Sequence, residues 1–301
     1  MKIPAIISIG EVLWDLFPDG DHFGGAPANF ACHTAIRGAD VTLISAVGSD
    51  QYGRAALEKL KEYQIDVSCV QIVEDAPTGT VRVTLDLQGQ PTFTIHEDCA
   101  WDRLTWNDDF DMRIRAADAI YFGTLGQRSA RSRATIRQAI STARDAEILR
   151  VLDVNLRSPF DEADLIRESI ELASILKLSD DELAPVCSAC GIILTEEREA
   201  LHRLLNVGSL EMVVMTCGAD GAMLVTPDQV IVQNGIPTTV VDTVGAGDSF
   251  TAAFVVGLLQ RKPLAEILQH ACEVAAETCS HSGGVPPIAK NSQNPFPPLK
   301  G

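Results

Sequence analysis

Val240-Val-Asp-Thr-Val-Gly-Ala-Gly-Asp-Ser-Phe-Thr-Ala-Ala-Phe-Val-Val-Gly-Leu-Leu259 passes from a β-branched apolar run, across two glycines, into a segment with apolar residues at Phe250, Ala253, Phe254 and Leu258. That spacing predicts a helix whose first turn carries the glycines. Gly245 and Gly247 have no Cβ, so backbone N–H groups around Ala246 can converge on an anion, and the helix dipole adds partial positive charge there. Asp248 puts a carboxylate beside that site. A base next to a place for negative oxygens is what phosphoryl transfer to a hydroxyl requires. The plainer role for an acid at a helix start is an N-cap.

Upstream, strand-like runs at Ala5–Ile9, Val41–Val47, Ala119–Phe122, Leu149–Val154, Ser174–Leu178, Met212–Thr216 and Ala222–Val225 alternate with helix-like segments. The helical patterns are Pro27–Gly38, Arg54–Tyr63, Ser129–Ala143, Glu162–Leu172, Glu196–Leu205, Gly247–Gln260 and Leu264–Ser280. Such alternation implies βαβ crossovers, hence an α/β fold with a mainly parallel sheet between two helix layers. Thr78 to Glu97 breaks the pattern, alternating with period two across Gln88-Gly-Gln90, and reads as an antiparallel hairpin. With the apolar piece at Val12–Phe17 it can form a small sheet outside the main one, a lid built from segments of about 12–24 and 78–98 that keeps water from the reacting groups. The alternative is a hairpin on the edge of the core sheet. The tail from Gly283 to Pro298 is proline-rich and reads as irregular.

Composition narrows the function classes. At 301 residues, 46% hydrophobic, the chain is long enough for one large α/β domain. No apolar run reaches the ~18 residues of a membrane helix, and the N-terminal run is too short and too soon charged for a signal peptide, so a cytoplasmic protein without a membrane partner is expected. A net charge of −17 argues against nucleic acid. Of the eight cysteines, Cys187 and Cys190 alone have redox- or metal-like spacing; with no second pair to complete a zinc site, free thiols are expected. A P-loop is absent, as is a Gly-x-Gly-x-x-Gly after the first strand, which disfavours P-loop NTPases and Rossmann dehydrogenases.

Two motifs more than 200 residues apart carry a resemblance. Asp242-Thr-x-Gly-Ala-Gly-Asp248 and Gly24-Gly-Ala-Pro-Ala-Asn-Phe-Ala31 are similar to the two signatures of the ribokinase-like (PfkB) carbohydrate kinases, and the order and spacing of motifs resemble that family over nearly the whole chain. The resemblance, nearest to the fructokinase-like branch, implies a single ribokinase-like three-layer sandwich over residues 1–301 with a small β-sheet lid. It implies Asp248 as catalytic base and the Gly245, Ala246 and Gly247 amides as the anion hole. It implies a sugar bound by Asp15, Gly24, Gly25 and Asn29, polar groups that the diglycine lets approach a ligand closely. Asp153-Val-Asn-Leu-Arg157 resembles a family segment in which Asn155 and Arg157 meet substrate or phosphoryl oxygens, although Arg157 could equally be a surface ion pair.

Lys177-Leu-Ser-Asp-Asp-Glu182 resembles a segment linked to nucleotide phosphates and Mg²⁺, with Ser179 where the family has Asn; Glu182 would act through metal-bound water. Thr216-Cys-Gly-Ala-Asp-Gly221 resembles the nucleotide loop, implicating Thr216, Gly218 and Gly221 in ATP binding. Asp242, with carbonyls near Ser280–Gly283, matches a monovalent-cation position, K⁺ in several relatives. The expected activity is ATP-dependent phosphorylation of fructose or a related keto-sugar. A 2-keto-3-deoxygluconate, ribose or nucleoside kinase stays open, as does a non-catalytic sugar- or nucleotide-binding regulator. A homodimer through the lid is known in the family, but no residue here compels it. Trp14, Phe93, His96 and Trp101 either line the sugar pocket or pack the lid.

Overall fold

A computed structural model describes residues 2–18, 20–85 and 91–286. In chain order β1 (Ala5–Ile9), β2 (Leu13–Phe17) and β3 (Gly20–Gly24) lead into α1 (Ala26–Ile36), β4 (Asp40–Gly48), α2 (Gln51–Glu62) and β5 (Val70–Val73). The hairpin β6 (Gly79–Leu85) and β7 (Pro91–Ile95) is followed by α3 (Asp108–Arg115), β8 (Ala119–Gly123), α4 (Ala130–Asp145), β9 (Leu149–Asp153), α5 (Ala163–Leu172) and β10 (Ile175–Ser179). Then come α6 (Asp180–Ala189), α7 (Glu197–Leu205), β11 (Met212–Thr216), β12 (Gly221–Val225), β13 (Val230–Asn234), α8 (Ala246–Leu259) and α9 (Leu264–Cys279).

Among the described residues the main sheet has the order β13-β12-β11-β10-β9-β8-β1-β4-β5. It is parallel from β5 through β11, and β12 and β13 close one edge antiparallel. A separate sheet runs β3-β2-β6-β7, so the period-two hairpin joins the Val12–Phe17 piece and leaves the core sheet alone. Its Gln88-Gly-Gln90 turn, and the proline-rich tail beyond residue 286, lie outside the described residues.

The pleat sends alternate side chains to opposite helix layers. Ala119 and Tyr121 of β8 join Phe30 of α1, Phe250 and Phe254 of α8 and Leu268 of α9. Ile120 and Phe122 join Phe110 of α3, Ile140 of α4, Ile170 of α5 and Leu201 of α7 on the other face. Fully burying a side chain of this size stabilises by about 1.5–3 kcal/mol before the entropy of ordering it is subtracted. Helix α8 is apolar nearly all round and is buried from Asp248 to Gly257 between α1, α9 and the sheet, which is where such a helix must go. Among the described residues no helix is long and apolar enough to cross a membrane.

Not every feature follows the apolar pattern. The β-branched run at Val240 and Val241 is exposed in the loop before α8. Helices α3 and α6 escape the apolar periodicity. Helix α3 has two buried apolar positions in eight residues, and Pro185 interrupts the α6 pattern although the helix continues through it. The cysteines are free, Cys187 and Cys190 included.

Candidate active site

The carboxyl ends of β1, β8, β9 and β10 meet the start of α8 and the underside of the small sheet around a cleft of about 470 Å³. This is the crevice where open α/β sheets bind ligands, and its volume suits a small molecule. Glu11, Asp15, Gly25, Asn29, Asp153, Asn155, Arg157, Lys177, Gly245, Gly247 and Asp248 all line it.

Gly245 takes a left-handed conformation, φ 76°, that lets the chain turn into α8. A Cβ there would stand 2.2 Å from the Gly284 carbonyl oxygen, so no other residue fits. The helix has no side-chain cap, and its first closing bond runs from the Ser249 amide to the Gly245 carbonyl. Of the amides ahead of it, that of Ala246 donates to the Thr243 carbonyl at 3.3 Å; those of Gly245, Gly247 and Asp248 have no backbone partner among the described residues and lie at the positive end of the dipole, where they can hold an anion. The N-cap alternative for Asp248 fails on position, because the cap is Gly245 and Asp248 lies inside the first turn.

The Asp248 side chain is buried, and its Oδ2 accepts a hydrogen bond from Asn29 Nδ2 at 2.9 Å. Burial, then the neighbouring charge of Asp153, pushes its carboxyl up to about 7; Asn29, Lys177 and Arg157 pull the other way. Lys177, also buried, donates to Asp153 Oδ1 at 3.1 Å, and Thr251 Oγ1 donates to Asp153 Oδ2 at 3.1 Å. Burial works against the ammonium, but Asp153, Glu182 and Asp248 outweigh it and raise the Lys177 pKa, keeping it charged. A Cβ on Gly247 would lie 3.1 Å from Lys177 Nζ, so a fixed positive charge sits against the first turn of α8.

Asp15 lies on β2 of the small sheet, opposite His22. Burial pushes its carboxyl up to about 6, against the pull of Arg157 and His22. A Cβ on Gly24 would come within 2.7 Å of Asp15 Oδ2, and one on Gly25 within 2.6 Å of the Glu11 carbonyl, so the diglycine makes room for both. Asn155 has φ 44°, a strained value for a side-chain-bearing residue, and it lines the cleft beside Arg157. Arg157 is exposed, donates to the Leu156 carbonyl and makes no ion pair among the described residues.

Thr216, Gly218, Gly221, Glu182 and Asp242 are not among the residues lining this cleft, whereas Lys177 is. Thr216 stands at the end of β11 beside Ser179 of β10, its hydroxyl donating to the Leu178 carbonyl at 3.4 Å. Gly218 begins the turn from β11 to β12; a Cβ on Gly221 would meet the Gln233 carbonyl at 2.0 Å, a constraint set by the sheet itself. Glu182 closes a capping box on Ser179 and also accepts from the Leu156 amide at 2.6 Å, binding the β9 and β10 exits together. Asp242 accepts from the Val244 and Gly283 amides at 3.0 and 2.9 Å, tying the loop before α8 to the one after α9.

Sequence reasoning gave no role to Glu11 or Asp153. Glu11 follows β1 and is buried; burial raises its pKa, and its Oε2 has no partner among the described residues. Nothing marks it in the sequence as different from a loop acid. Asp153 was visible in its motif, but its pairing with Lys177 depends on β9 and β10 being neighbours. Of the four aromatic or imidazole side chains considered, Phe93 lines the cleft. Trp14 packs on Phe23 and Tyr52, Trp101 lies under the Arg128 guanidinium, and His96 bonds Thr80.

Over residues 20–291 the chain matches the pfkB family carbohydrate kinases, and it belongs to that family. A sugar kinase of Pyrococcus horikoshii is 32% identical over 278 residues, 86% of this chain and 84% of the relative. That kinase's structure in complex with ATP superposes with a TM-score of 0.80 at 30% identity, covering 93% of each chain. The fructokinase of Klebsiella pneumoniae is 29% identical over 96% of this chain and 95% of its own. The ATP-dependent 6-phosphofructokinase of Thermoanaerobacterium thermosaccharolyticum is 28% identical over 93% and 89%.

Proposed function

We propose that this member of the PfkB carbohydrate kinases is an ATP-dependent kinase of fructose or a related keto-sugar, with Asp248 as its general base. The observation that carries the reading is the buried Asp248 carboxylate, oriented by Asn29 and set between the uncapped start of α8 and a cleft rich in hydroxyl-binding groups. Asp15, Asn29, Asn155 and Arg157, with the backbone at Gly24 and Gly25, hold the sugar under the β2-β3-β6-β7 lid. Asp248 accepts the proton of the attacking hydroxyl as its oxygen bonds to the γ-phosphorus and the bond to the β-phosphate oxygen breaks, releasing ADP. The amides at Gly245, Ala246 and Gly247, with Lys177, meet the charge on the transferred group.

The nucleotide lies along Thr216, Gly218 and Gly221. Mg²⁺, when bound, neutralises charge on the phosphates; Glu182, whose two oxygens are already engaged by amides, fits a role through water and not as a direct ligand. Asp242 beside Gly245 is the residue for K⁺, and a cytoplasmic protein, as a homodimer through the lid, completes the proposal.

The test is nucleotide consumption by purified protein with Mg²⁺, in K⁺ and in Na⁺, against fructose, fructose 6-phosphate, ribose, 2-keto-3-deoxygluconate and adenosine. Turnover confined to fructose or a keto-sugar supports the reading. Turnover confined to another acceptor moves the substrate, and silence on all of them sinks the fructose or keto-sugar assignment.

The acid limb of the pH profile should report Asp248. Because its carboxyl is pushed up to about 7, it is protonated and unable to accept a proton below that value. We expect kcat/KM for the sugar to decline roughly tenfold per pH unit on the acid side. A profile flat down to pH 5 would assign the base elsewhere.

A further inference from the structure

Asn29 and His33 are four residues apart on α1 and so project from the same face of the helix. Asn29 holds Asp248. His33 is fully buried, and its Nε2 lies 2.8 Å from the Gly284 carbonyl oxygen. A carbonyl only accepts, so Nε2 carries the proton and donates. Burial, then the charge of Arg37, lowers the imidazole to about 4, so it is neutral at physiological pH, with its one proton committed to this bond.

The carbonyl that His33 holds is the one that fills the space beside Gly245, where a Cβ would stand 2.2 Å away. The same residue packs against Asn29, since a Cβ on Gly284 would be 3.0 Å from Asn29 Nδ2. The segment is also pinned at Gly283 by Asp242 Oδ2 and at the Pro286 carbonyl by Tyr63 Oη, 2.6 Å away. His33 is the tether that lies between those two and directly behind the anion hole.

We propose that His33 is a positioning residue for phosphoryl transfer: by holding the Gly284 carbonyl against Gly245, it fixes the amides at the start of α8 where the transferred group must lie. The inference rests on the kinase reading. His33 touches neither sugar nor nucleotide and acts through Gly284, so its loss should register in kcat and leave the sugar KM alone.

The test compares wild type with His33→Leu and His33→Gln, the latter keeping an N–H donor close to the place of Nε2; His33→Asn, too short to reach Gly284, substitutes for Leu if that variant does not fold. Two readouts are taken: kcat and KM on the sugar that wild type turns over, and amide hydrogen exchange of residues 280–285. We expect His33→Leu to lose roughly 10- to 100-fold in kcat with sugar KM within about twofold, the scale of a sub-ångström to 1 Å misplacement. Exchange in the segment should accelerate, and His33→Gln should restore both. Wild-type kcat and exchange in His33→Leu would overturn the inference, as would equal losses in Leu and Gln that track the unfolding midpoint. A wild type silent on every sugar overturns the kinase reading and the inference together, and is distinguished because it is seen before any variant is measured.

Discussion

Asp248→Asn should fold normally and lose roughly 10²–10⁴ in kcat, with sugar KM little changed, because what disappears is a proton acceptor used in the transition state. The substitution keeps the shape and an oxygen that can still accept from Asn29 Nδ2. It also removes a pH-dependent cost. A buried carboxyl raised from 3.8 to about 7 binds its proton more tightly folded than unfolded. Its favourable contribution to folding is complete below the unfolded value and is lost as pH rises through about 7. Thermal unfolding of wild type and variant between pH 6 and 8 should therefore diverge, the variant gaining relative stability as pH rises. Near-wild-type turnover by the purified variant would remove Asp248 from the chemistry. Parallel stability curves with lost turnover would leave it as the base but remove the raised ionisation.

Lys177→Met should be the most destabilising single change at the site. It leaves Asp153 buried with one hydroxyl donor, Thr251, in place of a cation. Breaking a buried pair on one side costs about 3–5 kcal/mol, whereas replacing both partners by apolar residues is often near neutral. Chemical denaturation should show that loss for Lys177→Met and recover much of it in Lys177→Met/Asp153→Leu. A second effect separates charge from packing. Lys177 lowers the Asp248 pKa, so without it the acid limb of any residual activity should move to higher pH. A single variant within about 1 kcal/mol of wild type, with an unmoved limb, would show that the pair is not ionised.

The alternation of apolar runs and helical patterns was enough to place β1, β4, β8 to β12 and seven of the helices, because burial on both faces leaves a strand continuously apolar and burial on one leaves a helix striped. Helix α6 was hidden by Pro185, although Ser179 and Glu182 spell a capping box three residues apart. The small sheet was legible from period two, but its pairing of β2 parallel with β6 was not, since strands some 65 residues apart share no local signal. The functional motifs were visible wherever glycines had to clear space, at Gly24, Gly25, Gly245 and Gly247.

By itself the sequence determined the layered α/β class and the glycine-flanked entry into a helix at Gly245–Asp248, because each follows from local periodicity or from residues adjacent in the chain; the polar set at Asp15, Asn29, Asn155 and Arg157 was named through the resemblance to family motifs. The tertiary structure alone decided which of these meet. Asn29 and Asp248 are 219 residues apart and share a hydrogen bond; Lys177 and Asp153 pair because β9 and β10 adjoin; His33 reaches Gly284 across 251 residues. The raised ionisation of Asp248 likewise belongs to the fold, for it comes from burial and a neighbouring carboxylate. Desolvation and pairing of this kind are properties of an enclosed volume, and a chain acquires one only when its distant segments close around it.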